Sequence, residues 1–379
     1  MSGSVAKRAP RKADVRPPAL RHLHVVDLSA GVAGQYCCRV LASAGARVTL
    51  VEPPEGTATR RMPPYDASGD STLFRHLNQG KHGVVVPNSA DGDARLADLV
   101  ASADVIVRDL PGGEISSAVP IPESAIDCVI SDFPEDGPYA TWKADEMVHQ
   151  ALSGYMNATG RGDRRPLFGV GHRAYYACGT TATTSILAAL HERRRSGQGQ
   201  RVRATVFESI AAIGQNFVTQ YTYNGTSESR ARYTGLLATL RCSDGYIVMF
   251  AMRDSAAVCR TFDAEHLITD PRFDRPASLI RNWDELVQVF QAKAQTMTTA
   301  EVVRRAQAER ISCERVATLG ELLDSEQWRE RDVVRAVGPA DGGPTEFALG
   351  PLYRVSGSPG GVTTSSPRLA PASRRVAGR

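Results

Sequence analysis

The sequence predicts an α/β protein, with a mostly parallel, doubly wound sheet in a large domain and a smaller α+β domain after it. Short apolar runs alternate with segments of helical spacing from Leu23 onward, and this alternation is typical of consecutive βαβ units. A polar stretch at residues 222–235 ends the alternation, and beyond it a strand pair precedes several amphipathic helical segments.

The first half of the chain contains the elements of the predicted parallel sheet. Residues 23–29 form an apolar run that ends in serine, residues 34–46 have helical spacing, and residues 47–54 form a second apolar run closed by prolines. Further elements follow in the same alternation, namely a strand at 82–87, a helix at 93–103 and strands at 104–110 and 126–133. Because parallel strands need crossover connections, this order favours a doubly wound sheet.

A long helix rich in Ala, Thr and Gly is predicted from about Ala174 to Arg195, and its small residues favour close packing against a neighbouring backbone. One more strand and helix are predicted after it, and the Pro, Gly and Ser-rich segment from Gly350 onward predicts extended chain without a helix. We therefore expect four parts of the chain, a basic tail at 1–21, a large domain at 22–222, a small α+β domain at 235–335 and a C-terminal segment at 336–379 that returns to the large domain.

Charge and cysteine content exclude several classes of protein. Residues 1–21 combine many Lys and Arg with Pro and Ala, which predicts a disordered tail, and no nucleic-acid-binding module follows it. The seven cysteines include no CxxC pair, so neither disulfides nor a metal site are predicted, and most should be buried. No apolar run is long enough to span a bilayer and no secretory signal is recognisable, so we expect a cytoplasmic protein without a membrane partner.

Two segments carry residue types that could support catalysis. The segment GVGHRA at 169–174 matches the glycine-rich dinucleotide fingerprint in its alanine form, but its flanking pattern favours close helix packing instead. His172 in this segment is either a general base or a hydrogen-bonded structural histidine. Asp145, Glu146 and His149 share one face of a predicted helix, where a His–carboxylate pair could transfer protons or the acids could stabilise the helix N-terminus.

A set of segments resembles the class III CoA-transferase family, which includes formyl-CoA transferase, carnitine CoA-transferase and α-methylacyl-CoA racemase. In order, these segments are VVDLSAGVAGQYCCRVLASAGARVTLVEPP, HLNQGKHGVVV, DVIVRDLPGG, DGPYATWKADEMVHQALSGYMNATG, ILAALHERRRSGQGQRV, LRCSDGYIVMF, DPRF and SPRLAPASRRV. The resemblance runs from about Leu23 to Val376. It implies a Rossmann-like large domain, a dimer of two interlocked subunits, and transfer of CoA between carboxylic acids through anhydride and thioester intermediates on an aspartate.

The resemblance also implies which residues contact CoA, which would be a substrate and not a prosthetic group. By position they are Val32, Ala33, Asn78, Gln79, Gly80, Lys81, Asp109, Leu110, Pro111 and Lys143. A lysine suits the CoA phosphates because its ammonium acts as a point charge. Val32 and Ala33 retain only part of the contact, because transferases commonly have a polar residue beside the alanine.

The chain departs from the family's pattern at the position of the catalytic nucleophile. By the same resemblance, the nucleophilic aspartate falls on Ala174, and residues 169–181 contain no Asp or Glu. A methyl group cannot form an anhydride. The racemases are no better matched, because their catalytic histidine falls on Asp145 and their aspartate again falls on Ala174.

Three hypotheses are therefore left open. The chain is a subunit without the nucleophile in a heteromeric transferase, where a homologous chain supplies the aspartate. Alternatively, it is a self-sufficient homodimeric transferase, isomerase or racemase that uses another group, such as His172, Glu146 or Cys178. The third hypothesis is a binding or regulatory protein that retains the CoA-transferase fold without catalytic activity.

Overall fold

The computed structural model describes residues 16–110, 119–160, 162–226, 237–250, 255–338, 346–358 and 360–369. The chain divides into two compact units, of which the first is Met1–Arg230 with Arg331–Arg379 and the second is Ala231–Glu330. Residues 1–15 of the predicted basic tail and the predicted CoA contact Pro111 lie outside the described residues. No helix among the described residues is long and apolar enough to cross a membrane.

The first unit contains a six-stranded sheet in which every pairing is parallel. Its strands are β1 (His24–Asp27), β2 (Arg47–Glu52), β3 (His82–Val85), β4 (Val105–Leu110), β5 (Ile126–Ser131) and β6 (Arg201–Thr205). They lie in the order β3-β2-β1-β4-β5-β6. This is the strand order of Rossmann folds, and the order reverses between β1 and β4, where such sheets bind ligands beyond the carboxyl ends of the strands. The predicted α/β class and the parallel sheet are confirmed.

Helices connect these strands and supply the rest of the first core. They are α1 (Val32–Ser43), α2 (Thr72–Asn78), α3 (Ala90–Ala101), α4 (Glu146–Leu152), α5 (Tyr155–Ala158), α6 (Arg173–Ser196), α7 (Val206–Ile213) and α8 (Gln215–Asn224). The long helix α6 packs closely on α1, because a Cβ at Gly179 would lie 2.6 Å from the carbonyl oxygen of Ala33. The prediction that small residues bring this helix against a neighbouring backbone is confirmed.

The second unit has its own hydrophobic core around a three-stranded antiparallel sheet. Its strands are β7 (Leu237–Arg241), β8 (Tyr246–Phe250) and β9 (Ser312–Arg315), and its helices are α9 (Ser255–Thr261), α10 (Pro276–Arg281), α11 (Trp283–Ala294), α12 (Thr299–Ala308), α13 (Leu319–Leu323) and α14 (Glu326–Glu330). The predicted strand pair is β7 and β8. Strand β9 was not predicted, because its four residues, SCER, show no apolar alternation.

The C-terminal part of the first unit begins with an antiparallel pair, β10 (Val334–Val337) and β11 (Glu346–Leu349). The chain beyond it has no helix among its described residues, as predicted. It contacts the end of α1 through a hydrogen bond from Gly361 N to Ser43 O (2.6 Å), and the loop after α2 through one from Gly80 N to Thr364 O (3.0 Å). Disorder is wrongly predicted for residues 16–21, because Leu20 packs against the first core and its N–H donates to Ala44 O at 3.0 Å.

Candidate functional site

The first βα turn lies at the point where the strand order reverses. The Asp109 carboxylate, at the end of β4, accepts hydrogen bonds from Ala30 N (2.9 Å) and Gly31 N (2.6 Å). Its other oxygen is buried and has no partner among the described residues. Burial raises the pKa of Asp109 to about 6, and the Gly31 N–H opposes that rise. Gly34 is required here, because a Cβ at this position would lie 2.3 Å from the Ser29 Cβ.

The predicted CoA contacts Val32 and Ala33 follow this turn, and both are only 3% exposed. Leu110 ends β4 directly after Asp109. The structure therefore brings four predicted contact residues to the carboxyl edge of the central strands. Their contact with CoA stays a prediction.

The predicted contact segment 78–81 spans the last residue of α2 and the loop after it, and three of its four residues are buried. The Lys81 ammonium lies 2.8 Å from each of three acceptors, Asp27 Oδ2, Gln35 O and Asn78 Oδ1. Neither Lys81 nor Asp27 exposes its side chain. All three ammonium hydrogens are thus matched to acceptors within the protein. In this conformation Lys81 holds the loop to β1 and α1, and its contact with a CoA phosphate stays a prediction.

Gln79 and Gly80 are also held by protein groups. The Gln79 amide donates to Phe347 O (2.9 Å) and to Glu346 Oε2 (3.2 Å). Gly80 has φ +81°, and a Cβ there would lie 2.9 Å from Val362 Cγ1. This backbone conformation requires glycine, because other residues are strained at a positive φ and would clash here.

A cavity of about 610 Å³ lies beyond the carboxyl ends of β4 and β5. Leu110 and Lys143, two predicted CoA contacts, line it together with Asp132, Glu135 and Trp142. Lys143 is exposed, whereas Asp132 exposes 27% of its side chain. The Lys143 ammonium is therefore available to a ligand phosphate in a way that the Lys81 ammonium is not.

His149 is the hydrogen-bond partner of the Asp132 carboxylate, which lines the cavity. The His149 ring is fully buried, and its Nε2 lies 3.0 Å from Asp132 Oδ1. The interpretation that pairs His149 with Asp145 or Glu146 is wrong, because its carboxylate partner lies 17 residues away on another element. Asp145 instead caps α4 through Val148 N. The Nδ1 atom of His149 has no partner among the described residues.

The N-terminus of α6 is closed by a carboxylate from α4. Glu146 Oε1 accepts from Ala174 N at 2.8 Å, Glu146 Oε2 accepts from Tyr175 N at 3.4 Å, and the Gln150 amide donates to Glu146 Oε1 at 2.7 Å. Ala174 itself is fully buried. A negative charge at a helix N-terminus interacts favourably with the helix dipole and with N–H groups that lack intrahelical partners. Glu146 therefore stabilises α6 at the position where the family resemblance places the nucleophile.

Replacing Glu146 with alanine is expected to lower the free energy of unfolding by about 1–3 kcal/mol, because the Ala174 and Tyr175 N–H groups lose their acceptor. Glu146→Gln should lower the free energy of unfolding less, because its amide oxygen can still accept a hydrogen bond from these N–H groups although the charge is removed. Urea denaturation followed by circular dichroism measures both. Equal stability of Glu146→Ala and the unchanged chain would contradict the capping role.

Two other candidate groups are poorly placed for catalysis. His172 precedes α6 and makes no capping bond, its Nδ1 is buried without a partner among the described residues, and its ring packs 6.1 Å from that of Tyr175. Cys178 is buried, which raises the pKa of its thiol to about 12. A thiol with that pKa is not a nucleophile near neutral pH. All seven cysteines are buried, where the sequence predicts burial for most of them.

The cavity at the carboxyl edge of the sheet is thus lined by the exposed Lys143 ammonium and the partly exposed Asp132 carboxylate. The N-terminus of α6 has no nucleophile. Sequence reasoning missed Asp27 and Asp132. The signal for Asp27 is an acid that closes a buried strand, HVVD, which requires a buried cation elsewhere. No sequence pattern points to Asp132, because its histidine partner is distant along the chain.

Comparison with known proteins gives consistent matches over most of the chain. A family model described as CoA-transferase family III matches residues 20–371. A succinyl-CoA:mesaconate CoA-transferase of Haloarcula hispanica is 30% identical over 66% of this chain and 69% of its own length. An acetyl-CoA:oxalate CoA-transferase of Acetobacter aceti is 30% identical over 70% of this chain and 72% of its own length.

Solved structures match the fold. A CaiB/BaiF family protein from Brucella suis is 24% identical, with a TM-score of 0.84 over 93% of this chain and 97% of that chain. The Rv3272 protein of Mycobacterium tuberculosis is 23% identical, with a TM-score of 0.78 over 93% of this chain and 97% of that chain. At these identities the likeness is one of fold.

Proposed function

Since this chain belongs to CoA-transferase family III, we propose that it binds a CoA thioester and takes part in the transfer of CoA between carboxylic acids as the subunit that lacks the nucleophile. The observation that carries this proposal is Ala174. Its methyl group is buried at the start of α6, and its N–H is bonded to Glu146.

The chemistry explains why this residue matters. In transfer through an enzyme carboxylate, the carboxylate attacks the acyl-CoA carbonyl, a mixed anhydride forms and CoA leaves as a thiolate. The thiolate then attacks the carboxyl carbon of the enzyme, which releases the first acid and leaves CoA bound as a thioester. A second acid takes the CoA by the reverse sequence. Every step needs an enzyme carboxylate, which position 174 does not have.

The cavity beside Lys143 and Leu110 supports CoA binding by this chain. Its exposed ammonium suits a phosphate, and it lies beyond the carboxyl ends of parallel strands, where ligands bind in this fold class. The relatives are named for moving CoA from one acid to another, such as succinate and mesaconate or acetate and oxalate. We therefore infer a CoA thioester and a small carboxylic acid as the ligands of the assembly.

The missing carboxylate would come from a homologous chain. In an interlocked dimer, a chain can lose its nucleophile and still be kept for its interface and for its share of the binding surface. We thus propose a heteromer in which the second chain has an aspartate at the position that matches Ala174.

Native mass spectrometry of the tagged chain, isolated from its own cells, tests this proposal. We expect a complex of equal amounts of this chain and a homologue with that aspartate, and CoA transfer by the pair but not by this chain alone. A homodimer without a homologous partner would contradict the heteromer. Absence of transfer in every combination, with CoA still bound, would support a non-enzymatic CoA-binding protein.

A self-sufficient enzyme is the second candidate, and Asp132 is the observation that favours it. This carboxylate is partly exposed in the cavity of Lys143 and held by the buried His149. If the isolated homodimer transfers CoA, the activity should disappear in Asp132→Asn. Full activity in Asp132→Asn would exclude this carboxylate as the reacting group.

A further inference from the structure

A second cavity, of about 340 Å³, lies in the first unit beside α1, α2 and α6. Its walls are mainly apolar and include Val40, Leu352 and Val362. Five polar side chains line it as well, namely those of Tyr36, Arg39, Ser43, His76 and Tyr176. An apolar pocket of a few hundred cubic ångströms with a few convergent polar groups is the usual form of a small-molecule site.

Arg39 is the unusual member of this group, because it is a buried cation that has no carboxylate partner in the described part of the chain. It is 7% exposed, and its guanidinium makes one long hydrogen bond, 3.4 Å to Gln79 Oε1. No carboxylate among the described residues forms an ion pair with it. Glu346, which bonds the Gln79 amide, is already engaged with Ser366. Burial lowers the pKa of Arg39. Leaving a desolvated charge uncompensated is costly, so this side chain is expected to bind an anion.

The other four polar groups are neutral hydrogen-bonding groups, and the Ser43 hydroxyl among them donates to Val40 O at 2.8 Å. Burial raises the pKa of Tyr36 and of Tyr176, and burial together with the Arg39 charge lowers the pKa of His76 to about 4. At neutral pH these side chains are therefore uncharged. Among the described residues, none accepts or donates a hydrogen bond with either phenol hydroxyl or with the His76 ring. The cavity thus offers one positive charge, four neutral hydrogen-bonding groups and no negative charge.

We propose that this cavity binds a carboxylate with a compact apolar body, such as an aryl carboxylic acid. The carboxylate bonds the Arg39 guanidinium and the two phenols, and the body fills the space between Val40 and Leu352. A charge-assisted pair with a guanidinium is among the stronger polar contacts that a carboxylate makes. A phosphate would leave the apolar walls without a partner.

The inference goes beyond the proposed function and does not depend on it. Tyr176 and Ala174 are two residues apart on α6, so their side chains point to different faces of the helix. Binding at Arg39 requires neither CoA nor a nucleophile. Calorimetric titration with benzoate can therefore fail or succeed regardless of whether the chain takes part in CoA transfer.

Isothermal titration calorimetry of the full chain with benzoate, benzamide and acetate tests the proposal. Benzamide keeps the ring without the charge, and acetate keeps the charge without the ring. We expect benzoate to bind at least about tenfold more tightly than either, and Arg39→Met to weaken benzoate binding about tenfold or more while benzamide binding changes little. The control Arg47→Met removes an exposed arginine of the same unit and should leave benzoate binding unchanged.

Arg39→Met should fold, because it removes an uncompensated buried charge, and its Tm without ligand should equal or exceed that of the unchanged chain. If it does not fold, Tyr176→Phe provides the test, with an expected loss of about threefold to tenfold in benzoate affinity. Benzoate binding no tighter than benzamide binding would overturn the proposal. So would benzoate affinity that is unchanged in Arg39→Met or, where that variant cannot be used, in Tyr176→Phe.

Discussion

Replacing Lys81 with methionine is expected to lower the free energy of unfolding by about 3–5 kcal/mol, the usual cost of breaking a buried ion pair from one side. Lys81 and Asp27 have no exposed side-chain surface, and the ammonium also bonds Gln35 O and Asn78 Oδ1. Methionine has a similar length but offers no donor. Asp27 would keep its hydrogen bonds from Ser29 but would be left as a buried charge without a cation. Urea denaturation followed by circular dichroism measures the loss.

Two further variants separate this structural role from ligand binding. Lys143→Met removes an exposed lysine, so stability should change by about 0.5 kcal/mol or less, whereas affinity for CoA should fall. The double variant Asp27→Leu with Lys81→Met removes both charges and should recover much of the stability that Lys81→Met loses. A loss below about 1 kcal/mol in Lys81→Met would contradict the structural role, because it matches the value of an exposed pair.

The fold could be predicted from the sequence because each element of the parallel sheet has a local signal. The run HVVD before a helix-spaced segment and RVTLVE after it define a βαβ unit, and the rules for parallel crossovers then restrict the sheet to few arrangements. Strands β9 (SCER) and β10 (VRAV) lack the continuous apolar run that marks a buried parallel strand. Their positions depend on pairing with neighbouring strands, which is tertiary information.

The site was only partly predictable from the sequence, because several of its contacts join residues that are distant along the chain. The buried state of the cysteines and the acidic start of α4 follow from residue type and local spacing. The capping of α6 by Glu146 joins residues 28 positions apart, and the contact of Lys81 with Asp27 joins residues 54 positions apart. Arg39 shows most clearly what the sequence does not reveal. Helical spacing indicates the face of α1 on which Arg39 lies, but not whether a carboxylate of another element is close enough to pair with it.

Ala174→Asp is expected to confer CoA transfer on the isolated chain, with a rate about a hundredfold or more above that of the unchanged chain. If only the nucleophile is missing, the new carboxylate would start α6 where the family resemblance places it. The expected cost is a loss of stability, because a fully buried methyl group is replaced by a carboxyl group close to the Glu146 carboxylate. Burial and the like charge should both raise the pKa of the new carboxyl group, so activity should increase with pH as it ionises.

Ala174→Asn is the matched control, because it has nearly the same shape but cannot form an anhydride. Both variants should be incubated with succinyl-CoA or acetyl-CoA and an acceptor acid, and CoA transfer and the intact protein mass should be measured. We expect a covalent CoA adduct that hydroxylamine removes in Ala174→Asp only, because a thioester on the enzyme carboxyl group is an obligatory intermediate. A folded Ala174→Asp variant that binds CoA and forms neither adduct nor product would refute the assignment of position 174. Equal activity in both variants would instead place the reacting group elsewhere, and Asp132 would become the residue to replace, since its carboxylate is already exposed to the cavity that Lys143 lines.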